Sequence, residues 1–153
     1  MTKRRKAREV ALQLLFERDR NTQPMSPPMA EAFAKDRLVG EVESATFALL
    51  LANGVSEHRA AIDALLTATV QNWRLHRMTP VDRNVLRMSA YELRFAAELL
   101  PTAVVIDEAI ELARRYGTAD SPAFVNGILD QIAKGKPEST SPKTSSPTDV
   151  TSA

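Results

Sequence analysis

The run Lys3-Arg4-Arg5-Lys6-Ala7-Arg8-Glu9-Val10-Ala11-Leu12-Gln13-Leu14-Leu15-Phe16 decides how the chain is read, because a basic segment passes without a break into an apolar helical pattern. Five of the six positions from Lys3 to Arg8 are basic. At about 100° per residue, Ala7, Val10, Ala11, Leu14 and Leu15 fall on one broad stripe, as a helix facing a core requires. Glu9, Gln13 and Glu17, with Lys6 and Arg20, form a polar stripe opposite. Arg4, Arg5 and Arg8 share their sector with Leu12, Leu15 and Phe16 further along. The pattern predicts a helix inserted at its C-terminal half, its first turns carrying cations past the edge of the apolar body. The N-terminal pole of a helix favours acids and disfavours each cation by roughly 0.3–1 kcal/mol. Cations gathered there are expected to serve an anion, and an RNA phosphate is the expected one. Side chains tied up by carboxylates of their own molecule would overturn that role.

The rest of the chain is not basic. Residues 1–20 hold seven Lys or Arg against Glu9, Glu17 and Asp19, a local charge of +4 in a chain whose total is +1. A near-neutral to acidic body with a basic tip should touch nucleic acid locally and not coat it. The acidic remainder suits a basic partner by charge complementarity. A chain of 153 residues is long enough to bury about 70% of its unfolded surface as one domain.

Outside the first helix, helical periodicity recurs and period-two alternation does not. Pro24, Pro27 and Pro28 break the pattern after Arg18, which predicts a surface loop over residues 21–28 and a short helix over 29–36. Periodicity returns at Glu41 with Ala45 and Leu49, and Gly54 stands where a left-handed terminator is wanted. Ser56 is then the expected N-cap of a helix carrying Ile62, Leu65, Leu66, Thr69 and Val70, with Trp73 as a core anchor near its end. Thr79-Pro80-Val81-Asp82 opens another helix with threonine at N-cap and proline at N1, running inward through Val85, Leu86, Ser89, Leu93 and Ala96. A helix is predicted over 102–116, ended by Gly117, and a last one opens at Asp120-Ser121-Pro122 and closes at Gly135. Gly127, inside it, predicts close approach of another helix, since glycine there is worth about 1 kcal/mol less than alanine. The expected architecture is all-α, a bundle of about seven helices over residues 1–135, with a disordered Ser/Thr/Pro-rich tail over 136–153.

Groups for chemistry are missing. There is no cysteine, His58 and His76 have no carboxylate or second histidine at ligand spacing, and no Gly-rich phosphate loop or nucleophile motif is present. Asp107, Glu108 and Glu111 form an acidic flank without a histidine, nucleophile or metal partner, which reads as a solvated face. The expectation is a non-enzyme with no catalytic residue, no metal and no cofactor. No apolar run reaches the roughly 20 residues that span a bilayer, so a cytoplasmic protein without membrane contact is expected.

Several blocks then come in a recognisable order: Arg8-Glu9 with Ala11 and Leu14-Leu15-Phe16, Asn72-Trp73, Val81-Asp82-Arg83 leading to Leu86-Arg87, Tyr91-Glu92-Leu93, Asp107 to Ala113, and Phe124-Val125-Asn126-Gly127-Ile128-Leu129-Asp130. Together they resemble the NusB family of bacterial transcription antitermination factors over most of residues 4–133. The resemblance implies two packed helical subdomains without enzymatic activity. It implies binding to the boxA element of nascent ribosomal RNA, together with the ribosomal protein that doubles as NusE, within an RNA polymerase antitermination complex. By the same resemblance the RNA-binding residues are Arg4, Arg5, Lys6, Arg8, Phe16, Asp82, Asp120 and Phe124. Lys6 stands where the family often has arginine, which keeps the charge and loses the bidentate fork.

The implied chemistry agrees with the physical reading. Single-stranded RNA is recognised by stacking its bases on aromatics while cations hold its backbone. Arg5→Glu with Arg8→Glu is therefore expected nearly to abolish binding without changing helicity. The alternative is a helical targeting module like the N-terminal domain of some ribosomal RNA methyltransferases.

Overall fold

Gly54, Pro27 and Gly127 are where the helices depart from expectation, and each departure has a local cause. The computed structural model describes residues 3–70, 75–96 and 100–135. Within them lie seven α-helices and one 3₁₀ turn, with no strand among the described residues: α1 (Lys3–Arg20), α2 (Pro27–Arg37), α3 (Val42–Glu57), α4 (Arg59–Thr69), a turn at Leu75–Arg77, α5 (Pro80–Arg94), α6 (Thr102–Tyr116) and α7 (Ser121–Gly135). Trp73 and the 136–153 segment lie outside the described residues.

Pro27 and Pro28 begin α2 and do not belong to the loop. Ser26 caps the helix, its hydroxyl accepting from the Met29 amide, and proline loses nothing at positions whose N–H has no helical partner. Gly54 does not end α3. It lies inside the helix on the buried face, and a Cβ there would run into the Tyr91 ring of α5. Ser56 therefore stays within α3, and a single residue, His58, separates α3 from α4 without a side-chain cap. Gly127, by contrast, faces open space and takes no close approach from any helix. Thr79 does cap α5, its hydroxyl accepting from the Asp82 amide at 3.1 Å, and α6 spans the expected residues with Gly117 as its C-cap. α5 stops at Arg94, two residues short of Ala96.

The helices pack in two groups that share α5. α1, α2 and α3 lie against one another, α6 and α7 form the other group, and α5 contacts both as well as α4. The core runs continuously between them through Leu14, Leu51, Leu66, Leu86, Leu112 and Leu129, all fully buried. The C-terminal half of α1 is held by a polar hub. Asp19 accepts from Arg83 Nε and Nη2 at 2.9 and 2.7 Å and from Asn84 Nδ2 at 3.0 Å, and lies 3.3 Å from Arg87. Arg87 in turn forks Asp63 of α4 at 2.8 and 3.1 Å. Burial pushes the Asp19 carboxyl up, but hydrogen bonds from Arg83 and Asn84 and the charges of Arg87 and Arg83 outweigh it, so its pKa falls below the ordinary value.

Candidate nucleic-acid interface

The basic run does not form one patch. Its side chains leave α1 in different directions, as residues 100° apart must. Arg8 is buried, not carried past the apolar body. Its guanidinium, 3% exposed, forks the Glu92 carboxylate of α5 at 3.0 and 2.7 Å. Arg4 lies over the Phe47 ring of α3, 4.0 Å from its centre, and Arg8 lies 5.3 Å from the same ring. Lys6 turns the other way to Glu41, just before α3, at 3.0 Å. Arg5 points toward α6 and forks Glu108 at 3.0 and 2.9 Å. The Arg5 hydrogen bond, reinforced by its charge, holds the Glu108 carboxyl below its usual range, and the same contact raises the Arg5 pKa. Lys6 depresses Glu41 in the same way.

Three of the four predicted cations are thus engaged by carboxylates of their own molecule, which overturns the expectation that the run as a whole is held for an RNA phosphate. For Arg8 this removes a direct RNA contact from the reading, because the pair has no exposed donor face. Arg8→Glu would set a second carboxylate beside buried Glu92, so the double charge reversal could not leave helicity untouched. The acidic flank on α6 is not merely solvated either: Glu108 holds Arg5, and Glu111 pairs with Arg114 and Arg115.

Arg5, Glu9, Leu12 and Phe16 lie along one line of α1, spaced by three or four residues. That line runs beside α6, with Arg5 bridged to Glu108 and Glu9 bridged to Arg115. The seam ends in an apolar cleft of about 190 Å³ lined by Leu12, Phe16, Val81 and Tyr116, with Glu9 and Gln13 at its edge. Phe16 and Tyr116 are exposed, and Arg20 lies over the Phe16 ring at 5.7 Å. Burial, then the charge of Glu9, raises the Tyr116 phenol above its ordinary value.

Asp82, the neighbour of Val81, lines a second cleft of about 200 Å³ with Arg77, Met78, Thr79, Asp120 and Phe124. Asp120 is exposed and directly precedes α7, and Phe124 is half-buried one turn along that helix. Asp82 is 7% exposed, and its Oδ1 has no hydrogen-bond partner among the described residues. Asp82, Asp120 and Phe124 therefore line one cleft and Phe16 lines another, the two carrying the successive α5 residues Asp82 and Val81, and of the basic run only Arg5 points along the seam that leads to Phe16. The sequence reading missed Arg77 and Tyr116. Tyr116 had a signal, since it continues the stripe of Ala109, Leu112 and Ala113 to the last residue of α6, beyond what the body covers. Such a face can stack planar groups and accept hydrogen bonds from them. No group of three or more His, Asp or Glu at metal-binding geometry occurs among the described residues.

The comparisons with known proteins agree with this architecture. The chain matches the NusB family over residues 5–134. It is 42% identical over 134 residues to the transcription antitermination protein NusB of Bdellovibrio bacteriovorus, covering 88% of this chain and 97% of that protein. Among solved structures, T. maritima NusB is similar with a TM-score of 0.71 at 38% identity, over 86% of this chain and 91% of that one. A complex of the antitermination factors NusB and NusE with double-stranded RNA contains a chain of the same fold, with a TM-score of 0.75 at 24% identity, over 89% of this chain and 99% of that one. These relatives are transcription factors and not enzymes, which bears out the non-enzymatic reading. The chain, with seven α-helices and no strand among its described residues, belongs to the NusB family.

Proposed function

We propose that this protein is a cytoplasmic transcription antitermination factor that binds boxA-type single-stranded RNA of nascent ribosomal transcripts together with the ribosomal protein NusE, in an RNA polymerase antitermination complex. The observation that carries the RNA reading is the pair of clefts, one lined by Val81 with Phe16 and Tyr116, the other by its neighbour Asp82 with Asp120 and Phe124. Aromatic faces accept any base by stacking, and the exposed Asp120 carboxylate in the second cleft accepts from a base amino or imino group. Arg20 and Arg77 stand beside the clefts to meet the backbone, and Arg5 extends the track along α1. Arg4 and Lys6 lie off the seam, where they bear on the partner or on flanking RNA, and Arg8 serves as structure. The relative solved with NusE and double-stranded RNA supports the choice of partner, while the open stacking faces favour a single strand.

Fluorescence anisotropy tests the reading with three labelled RNAs: a boxA-type single strand, a scrambled strand of the same composition and a boxA duplex, each with and without NusE. The boxA strand should bind best and more tightly with NusE present. Phe16→Ala should weaken it by roughly 1–3 kcal/mol, the value of one stacked base, in a protein that a melting curve shows still folded, since Phe16 keeps 39% exposure and lies outside the sealed core. Equal affinity for all three RNAs, or full affinity in Phe16→Ala, would refute the assignment.

A further inference from the structure

A track for a polyanion should present its cations, yet the two arginines of the α1–α6 seam are covered by carboxylates. Arg5 is forked by Glu108 and Arg115 is paired with Glu9 and Glu111. These are cross-helix contacts of high sequence separation, 103 residues for Arg5–Glu108 and 106 for Arg115–Glu9, so folding itself brings them together. The pairs are also only partly buried: the Arg5 and Arg115 side chains keep 30% and 37% exposure, and Glu108 and Glu9 each keep 18%. The pair inside the bundle, Arg8–Glu92, is sealed at 3% and 4%. An incoming phosphate can reach the first two and not the third.

A carboxylate and a phosphate fit the same guanidinium fork with two parallel hydrogen bonds. Arg5 donates through Nε and Nη2, the edge a phosphate would use. The seam counts Arg5 and Arg115 against Glu9, Glu108 and Glu111, so before RNA arrives it carries no excess positive charge. Resting on the RNA-binding reading above, we propose that Glu108 and Glu9 act as phosphate stand-ins, occupying Arg5 and Arg115 until an RNA phosphate displaces them, so that RNA is bound here by exchange of one anion for another.

Exchange has a thermodynamic signature that simple contact lacks. A phosphate that meets a free cation releases its condensed counterion, which steepens the dependence of log affinity on log salt by about 0.7 per contact for a single strand. A phosphate that displaces a carboxylate releases one counterion while the freed carboxylate takes one up, and the two nearly cancel. The electrostatic part of the affinity, which every RNA shares, is thereby held down, and the clefts are left to decide which RNA is retained.

The test uses the full chain with the boxA-type strand and its scrambled counterpart, titrated at several salt concentrations. Glu108→Gln should bind both RNAs more tightly, by roughly two- to fivefold, and steepen the salt slope by about 0.7. Glu9→Gln should do the same at the other arginine, and the two together should steepen it by about 1.4. A melting curve for each variant establishes folding, and the two sites are tested independently in case one disturbs packing. A purely structural carboxylate would lose affinity on substitution and leave the slope where it was. If the wild type binds boxA RNA and neither folded variant gains affinity or slope, the exchange is overturned and the RNA reading stands. If the wild type ignores RNA and the folded variants bind it, the carboxylates block the arginines and are never displaced, and the exchange falls together with the reading of function. Absence of RNA binding in all of them overturns both.

Discussion

Arg5 and Arg8 sit one helical turn apart in the same basic run, and the fold has given them opposite tasks. Arg8 points between α1 and α5 and is locked to Glu92 out of reach of water. Arg5 points along the surface and holds Glu108 where solvent and ligands can still intervene. Both pairs have the same fork geometry and similar lengths, so geometry does not separate them. Accessibility does. A buried charge left without its partner has nothing to replace it, whereas an exposed one is solvated at once. Density of arginines in a sequence therefore measures neither binding nor stability until the direction of each side chain is known.

The largest expected effect comes from the sealed pair. Glu92→Ala should destabilise the protein by about 3–5 kcal/mol, since it leaves the Arg8 guanidinium buried and unpaired. Urea unfolding followed by circular dichroism measures it. A loss below about 1 kcal/mol, the level of surface pairs, would erase the contrast between Arg8 and Arg5. Acid should sharpen the contrast at the other end of α1. The Asp19 pKa is lower folded than unfolded, so its contribution is fully present above the ordinary aspartate value of about 3.9 and disappears as pH falls through the depressed folded value. The gap in urea midpoint between wild type and Asp19→Asn should stay constant from neutrality into that range and narrow below it. A gap that narrows well above it would mean that Asp19 does not titrate as the hub geometry demands. The smallest effect on stability belongs to Arg5→Ala, whose urea midpoint should match the wild type while its affinity for boxA-type RNA falls. Its salt slope should stay the same, because a contact made by exchange contributed none.

Much of the helical layout was legible in the sequence, since caps and apolar stripes are local. Thr79-Pro80 and the stripe of α6 gave their boundaries directly. The burial of Arg8 was half legible: it shares a sector with Leu12 and Leu15, both buried. What no window of sequence holds is Glu92, 84 residues away, whose carboxylate makes that burial tolerable. The two glycines are a different lesson. Gly54 shares the buried face of Leu51 and Phe47, while Gly127 lies opposite Val125, Leu129 and Ile132, so periodicity alone assigned them to inside and outside. Each was read by its residue type, as a stop and as a contact, and the structure reverses both. The clefts were the least legible, because they gather residues from α1, α5, α6 and the start of α7 that only tertiary packing aligns.

The first helix is riveted twice, by Arg8 to α5 near one end and by Asp19 to α5 at the other. Two anchors eleven positions apart, at about 1.5 Å of rise per residue, fix its register like two pins through a ruler. It can neither slide by a residue nor turn on its axis without breaking one of them. Whatever lies down on the outer side of that helix meets a template whose spacing was set at folding, and little ordering entropy remains to be lost on arrival.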